Sequence, residues 1–304
     1  MLLPQQRGAQ LALPTAGRFA NLCPREGDIG NEQGRHVIRV GLIGWGAIGR
    51  SIVDLWTTLP TGRIALVGVC VRPPQLQTAR DALPADVLVS DDISDLLSIR
   101  PDFVIEAAGH TAVASHGDKL LAVGCSLYLL SVGSLAHDKL RARLEDAANA
   151  GNSHILIPAG ALAGFDGLLT MGCDGLHSVK YTSTKPCNAW HGTVASESHQ
   201  LDRMTQRTVI FRGNASDAAR LFPKNANLAA AVALAGIGFE RTEVELVADP
   251  NVTGNIGMLE AVSQSSRLTL TMSSSPSSNP KTSATVGASV IAALRNNARV
   301  IRFV

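Results

Sequence analysis

The sequence predicts an α/β protein: a doubly wound parallel sheet, then a second α+β domain containing an antiparallel sheet. Three observations predict it. Short apolar runs alternate with helical periods from Val37 to Pro158, and a glycine-rich turn joins the first run to the first helix. Beyond Pro158, strand patterns follow one another across turns rather than across regular helices. The chain has 304 residues, enough for two domains with separate cores. Hydrophobic residues make up 45% and aromatics only 4%, so small aliphatic side chains must fill those cores, as in close-packed α/β layers.

The elements follow in order. Residues 1–36, with Pro4, Pro14, Pro24 and five glycines, hold no sustained apolar period and read as a mobile N-terminal extension. Arg7, Arg18 and Arg25 are its one leader-like feature, but Leu11 to Leu13 is too short for a signal-peptide core. Residues 37–158 form the first domain. Its strands are Val37–Gly44, Ile64–Val71, a short Asp86–Val89, Phe103–Ala107, Leu127–Val132 and His154–Ile157. Helices fall at Ile48–Leu59, Ala112–Val123 with Gly124 as its cap, and His137–Ala150 closed by Gly151, with a helical turn after Asp91-Asp92. Residues 159–304 form the second domain. Strand alternation marks Ser178–Thr184, Thr208–Phe211, Thr242–Ala248 and Leu268–Met272, and helices are expected at Ala226–Ala235 and Ala284–Arg295. Ser273 to Ser278 reads as a loop, and the final helix is expected to pack back on the first domain.

Composition excludes several classes. A net charge of +2 without any basic or acidic run gives no footing for nucleic acid or an anionic membrane. No apolar stretch approaches the roughly 20 residues that cross a bilayer. Cys23, Cys70, Cys125, Cys173 and Cys187 are odd in number and widely spaced, which fits reduced thiols in the cytoplasm. No His/Cys/Asp/Glu group has metal-ligand spacing.

Gly44-Trp45-Gly46-Ala47-Ile48-Gly49 follows a strand and opens a helix, the context in which GxGxxG binds a dinucleotide. Gly44 permits the turn, Gly46 lets backbone approach a pyrophosphate, and Gly49 lets helix and strand pack closely. The helix N-terminus at Ala47 and Ile48 then meets the phosphates. The second strand ends in Cys70-Val71-Arg72 without the carboxylate that grips an NAD ribose. Arg72 either pairs with a 2′-phosphate, favouring NADP or dual use, or stands as a solvated edge residue. Three further turns, containing Ala108-Gly109-His110, Gly133-Ser134 and Gly160-Ala161, sit at the carboxyl edge of the sheet where nicotinamide lies. His110 is either a donor to cofactor or substrate, or a structural loop residue.

Ile157–Leu168 (IPAGALAGFDGL), Lys185–Trp190 (KPCNAW), Phe222–Ala235 (FPKNANLAAAVALA), Val247–Pro250 (VADP) and Asn279–Ser283 (NPKTS) closely resemble L-aspartate dehydrogenases. The resemblance runs from about Val37 to the end. It implies NADP- or NAD-coupled oxidation of L-aspartate to iminosuccinate, released as oxaloacetate and ammonia, or the reverse amination, in a homodimer. By motif it assigns Ala161 and Asn227 to the cofactor. Lys185 and Lys281 are candidates to hold a substrate carboxylate. Asn225 and Asn227 are expected both to cap the Ala-rich helix and to bind ligand.

One departure stands out. The family carries a catalytic histidine two residues after an asparagine, and here Asn255-Ile256 is followed by Gly257. Glycine moves no proton. His191 is the first candidate replacement and His110 the second. Ser263-Gln264-Ser265-Ser266 also replaces a glycine-rich turn and is expected to limit how well an imidazole restored at 257 would be aimed. Two alternatives to aspartate oxidation stay open: an imine or keto-acid reductase of the same fold, and a non-catalytic NADP-binding homologue.

Overall fold

The computed structural model describes residues 37–59, 62–275 and 283–303. The expected extension and Lys281 lie outside them. The first half builds β1 (Ile38–Ile43), α1 (Ala47–Thr58), β2 (Ile64–Cys70), α2 (Leu76–Ala82), β3 (Leu88–Ser90), α3 (Ile93–Ser98), β4 (Phe103–Glu106), α4 (His110–Ala122), β5 (Ser126–Leu129), α5 (Asp138–Gly151) and β6 (Ile155–Leu156). All pairings are parallel, in the order β3-β2-β1-β4-β5-β6. This is the expected Rossmann sheet. The strand order reverses between β1 and β4, which leaves a crevice beyond their carboxyl ends. Val40, Leu42, Val104 and Leu127 are fully buried because helices cover both faces: Ile52 and Trp56 on one, Leu120 and Leu144 on the other.

The second half builds α6 (Phe165–Cys173), β7 (Leu176–Lys185), α7 (Ala195–Ser198), β8 (Thr208–Asn214), α8 (Ala215–Leu221), α9 (Asn227–Ala235), β9 (Glu243–Ala248), β10 (Asn255–Ser263), β11 (Arg267–Ser274) and α10 (Thr285–Ala298). Its sheet runs β11-β10-β7-β9-β8. It is mixed rather than purely antiparallel, because β7 and β9 pair in parallel. A long crossover through α8 and α9 separates those two strands and makes that direction possible. The other pairings are antiparallel. Tyr181, Leu246 and Leu259 from this sheet form one core with Trp190, Phe222 and Val232.

Several local expectations need correction. Strand β10 and helices α2 and α6 were not anticipated, and Ser273-Ser274 complete β11 instead of opening a loop. Helix α5 runs through Gly151, and Asn152 makes the left-handed turn at φ 49°. A side chain at Gly151 would strike the Leu121 carbonyl, so close packing of α5 on α4 explains this glycine. The last helix packs as expected: Val290, Ile291 and Leu294 of α10 join Ile52 and Trp56 of α1.

Candidate active site

The glycine loop shows three glycines with three separate causes. Gly44 has φ +106°, and a Cβ there would stand 2.6 Å from the Ala107 carbonyl oxygen. A Cβ on Gly49 would collide with the Gly44 carbonyl, so this glycine lets α1 lie against β1. Gly46 meets nothing within 4 Å. Nothing among the described residues therefore requires a glycine at 46, whereas a pyrophosphate laid on the loop does. Gly46 is the N-cap of α1, and neither a capping side chain nor an acid in the first turn occupies the helix end. The dipole and unpaired N–H groups thus face the crevice, as an anion requires. Arg72 is exposed at the end of β2, and its Nε donates to Gln75 Oε1 at 3.4 Å. Gln75 in turn donates to the Trp45 carbonyl at 3.0 Å, tying Arg72 to the glycine loop.

Glu106, the last residue of β4, is 1% exposed. One carboxylate oxygen accepts from the N–H groups of Ala108 and Gly109, both at 2.7 Å, and from Ser131 Oγ at 3.0 Å. The other accepts from the Ser131 N–H at 3.0 Å. One buried carboxylate thereby fixes two turns at the carboxyl edge of the parallel sheet, with hydrogen bonds to a carboxylate in a dry setting. The sequence reading missed it. Its signal was legible: a carboxylate closing an otherwise apolar strand immediately before Ala107-Ala108-Gly109.

Beyond these turns lies a cleft lined by Ile48, Ala161, Lys185, Lys224, Asn225 and Asn227, with Ser283 at its side. Asn227, the first residue of α9, accepts from the Gly133 N–H at 2.9 Å and stands 3.4 Å from His110 Nε2. It thus joins the second sheet's layer to two of the first sheet's turns. The Gly160 N–H donates to Ser289 Oγ at 3.0 Å, so α10 holds the turn that carries Ala161. Asn225 is buried and gives its Nδ2 to the Ala189 carbonyl at 3.2 Å, while its Oδ1 has no partner among the described residues. Neither asparagine caps α9, contrary to expectation: the N-cap is Ala226, with no side-chain bond. Their side chains are engaged across loops instead. Lys185 is 7% exposed at the end of β7, with Nζ 5.6 Å from the Trp190 ring centre. Asn255 gives its Nδ2 to Ser283 Oγ at 2.9 Å, and its Oδ1 is also unpartnered among the described residues.

Gly257 lies on β10 opposite Ser183 of β7 and is not itself part of the cleft lining. A Cβ there would stand 3.3 Å from Leu162 Cδ1 and 3.4 Å from the Tyr181 hydroxyl. A side chain at the position where the family keeps its imidazole would thus meet Leu162 slightly tightly and Tyr181 at ordinary contact distance. The Tyr181 phenol does not replace it as a base, because burial pushes its pKa up to about 12. His191 is not brought to the cleft. It is half exposed, with Nε2 3.0 Å from Asp202 Oδ1. The serine turn is also remote: Ser263 ends the same strand six residues on, roughly 20 Å away at strand rise. There Asp174 accepts from Ser263 Oγ at 2.6 Å and from the Ser265 N–H at 2.9 Å, a carboxylate anchor in place of glycines. The expectation that this turn limits the aim of an imidazole at 257 is therefore set aside. Among the described residues no group of three His, Cys, Asp or Glu could hold a metal, and no helix is long and apolar enough to cross a membrane.

Cradle and cleft share one crevice, with the dinucleotide side on the parallel sheet and the polar cleft reaching over from the mixed one. That division of labour defines an NAD(P)-dependent oxidoreductase. Comparisons with known proteins narrow the class. The model of the homoserine dehydrogenase NAD-binding domain matches residues 44–158, and that of the aspartate dehydrogenase C-terminal domain matches 166–297. L-aspartate dehydrogenase of Cupriavidus necator is 40% identical over 266 residues, covering 87% of this chain and 99% of that one. The Pseudomonas aeruginosa enzyme is 39% identical over 270 residues with the same coverage. The crystal structure of aspartate dehydrogenase from Thermotoga maritima shares the fold, with a TM-score of 0.67 at 24% identity over 88% of this chain and all of the other. The chain belongs to the L-aspartate dehydrogenase family.

Proposed function

We propose that the protein interconverts L-aspartate and iminosuccinate, at a rate held down by Gly257. The observation that carries this reading is the chemistry of the cleft: two cations and one unpartnered carbonyl oxygen beside the cofactor turn. L-Aspartate presents two carboxylates and one ammonium, which Lys185, Lys224 and Asn225 Oδ1 match group for group. Ala161 and Asn227 border the cofactor, and Arg72 favours NADP by pairing with its 2′-phosphate. The bound nicotinamide supplies the hydride acceptor for the substrate Cα–H, or the donor in reverse. This chain's residues do the rest. The lysines fix the carboxylates, Asn225 orients the amine, and the buried walls restrict water.

Oxidation also releases a proton from the ammonium, and water later splits iminosuccinate into oxaloacetate and ammonia. Among the described residues no imidazole lines the cleft to take that proton. Of the two expected replacements, His110 is the better placed, because it reaches Asn227 while His191 pairs with Asp202 outside the cleft. The packing of Leu162 and Tyr181 beside Gly257 also favours a second reading, a reductase of an imine or keto acid that needs no imidazole. We place the domain boundary near Pro158 and the protein in the cytoplasm. We assign it a homodimer through the outer face of the mixed sheet, where Ile256, Met258 and Val262 are only half buried. The test is an amination and deamination screen over amino and keto acids with both cofactors. Slow turnover confined to L-aspartate and oxaloacetate with ammonia is the expected result. Faster turnover on another acid selects the second reading, and cofactor binding without any turnover overturns both.

A further inference from the structure

A cavity of about 710 Å³ lies beyond His110 and Gly133 and shares no lining residue with the cleft. Its walls come from both halves of the molecule: α4, α5 and the turn 132–136 from the first, and α8 from the second. Lys139, Arg143, Arg220, His110 and His137 line it, and among the described residues no carboxylate does. Arg143 is 3.5 Å from Asp118, and Arg220 is 2.8 Å from Asp217, but both acids lie outside the lining. No ion pair of the described residues includes Lys139. Ser134, only 4% exposed, lines the same cavity with an Oγ that no described group bonds. An unpaired buried hydroxyl has a cost that a ligand acceptor would remove. Ala114, Leu140 and Ala219 supply an apolar wall between the cations.

We propose that this cavity binds a small organic polyanion, carrying two or more carboxylate or phosphate groups, across the junction of the two halves. The cations supply the charge match, the apolar wall accommodates a short carbon body, and Ser134 Oγ donates to one anionic oxygen. Because Arg220 sits on α8 and Lys139 with Arg143 on α5, such a ligand ties the halves together. This ties binding to stability through linkage: a ligand held only by the closed protein raises its melting temperature.

The test is calorimetric titration of the full chain with citrate, inorganic pyrophosphate and acetate at matched ionic strength. Saturating NADP is present so that the glycine loop does not compete for the probes. The expected result is binding of citrate or pyrophosphate but not acetate, with a rise in Tm. Citrate alone identifies a carboxylate ligand, pyrophosphate alone a phosphate one, and either outcome supports the site. The double variant Lys139→Ala/Arg220→Ala, checked for an unchanged unliganded Tm, weakens binding at least about tenfold. Lys224→Ala, which alters only the cleft, leaves it unchanged. Absence of binding by both probes overturns the proposal. Binding that survives the double variant but is lost in Lys224→Ala also overturns it, since the probe then sits in the cleft.

Discussion

The two sides of the crevice have fared differently. On the cofactor side the three expected glycines each have their own physical cause, a positive φ at Gly44, an opening at Gly46 and close packing at Gly49, and an unanticipated buried carboxylate lies beneath the next two turns. In the cleft proposed for the substrate, cations and amides are present, but the position of the family's imidazole is a glycine packed beside Leu162 and Tyr181. On the proposed reading, binding and proton transfer are separable in this chain. A cradle depends on backbone shape, which many small changes leave standing, whereas acid–base chemistry depends on one side chain.

The largest expected effect is at Gly46. Gly46→Val fills the opening kept for the pyrophosphate, so NADPH binding by fluorescence titration falls below detection while circular dichroism stays native. Unchanged affinity in a folded variant makes the loop a mere turn and removes the cofactor half of the comparison. Next comes Glu106→Gln, which turns acceptor oxygens toward donors and leaves N–H groups of Ala108, Gly109 or Ser131 unpaired. Bonds to a charged group contribute about 1.5–3 kcal/mol each, so cofactor affinity drops by about tenfold or more, with a lower Tm. A variant with native affinity shows that the two turns hold themselves.

A smaller effect concerns the 2′-phosphate. Wild type is expected to bind NADP(H) at least as tightly as NAD(H), and Arg72→Asp to reverse that order. A strong wild-type preference for NAD contradicts the role given to Arg72. The smallest effect lies at the serine turn. Hydrogen bonds from Ser263 and Ser265 hold the Asp174 carboxyl below its usual range. A depressed carboxyl contributes stability above its unfolded pKa and loses it as pH falls through the folded one. The Tm gap between wild type and Asp174→Ala therefore exists at neutral pH and closes below about pH 4. A gap that persists in acid assigns the effect to packing.

The parallel sheet was legible because its strands are short apolar runs punctuated by helices and glycines, and the order of motifs carried the family. Strand β10 was not. Of its inward residues only Leu259 is a large apolar side chain, the others being Asn255, Gly257, Ala261 and Ser263, while Ile256, Met258 and Val262 lie on the half-buried face with Glu260, so the usual apolar-in alternation is blurred. Helix α6 is short and holds Gly167 and Gly172, which weakens any periodicity. The parallel pairing of β7 with β9 depends on how a crossover runs, which no local pattern records. In the site, His191 looked suitable by its neighbours in sequence, but its distance from Gly257 is a tertiary property. The packing of Leu162 beside that glycine is likewise visible only in three dimensions.

The most direct test of the separation is the initial rate with L-aspartate at alkaline pH, measured beside NADPH affinity, for wild type, Gly257→His and Gly257→His/Leu162→Ala. One positioned acid or base accounts for about 10²–10⁴-fold in rate. The expected result is undiminished cofactor binding in all three proteins and slow wild-type turnover. The single variant then gains rate, and the double gains more because removing the Leu162 side chain makes room for the imidazole. A fast wild-type rate that Gly257→His lowers, and that His110→Ala and His191→Ala leave untouched, contradicts the account.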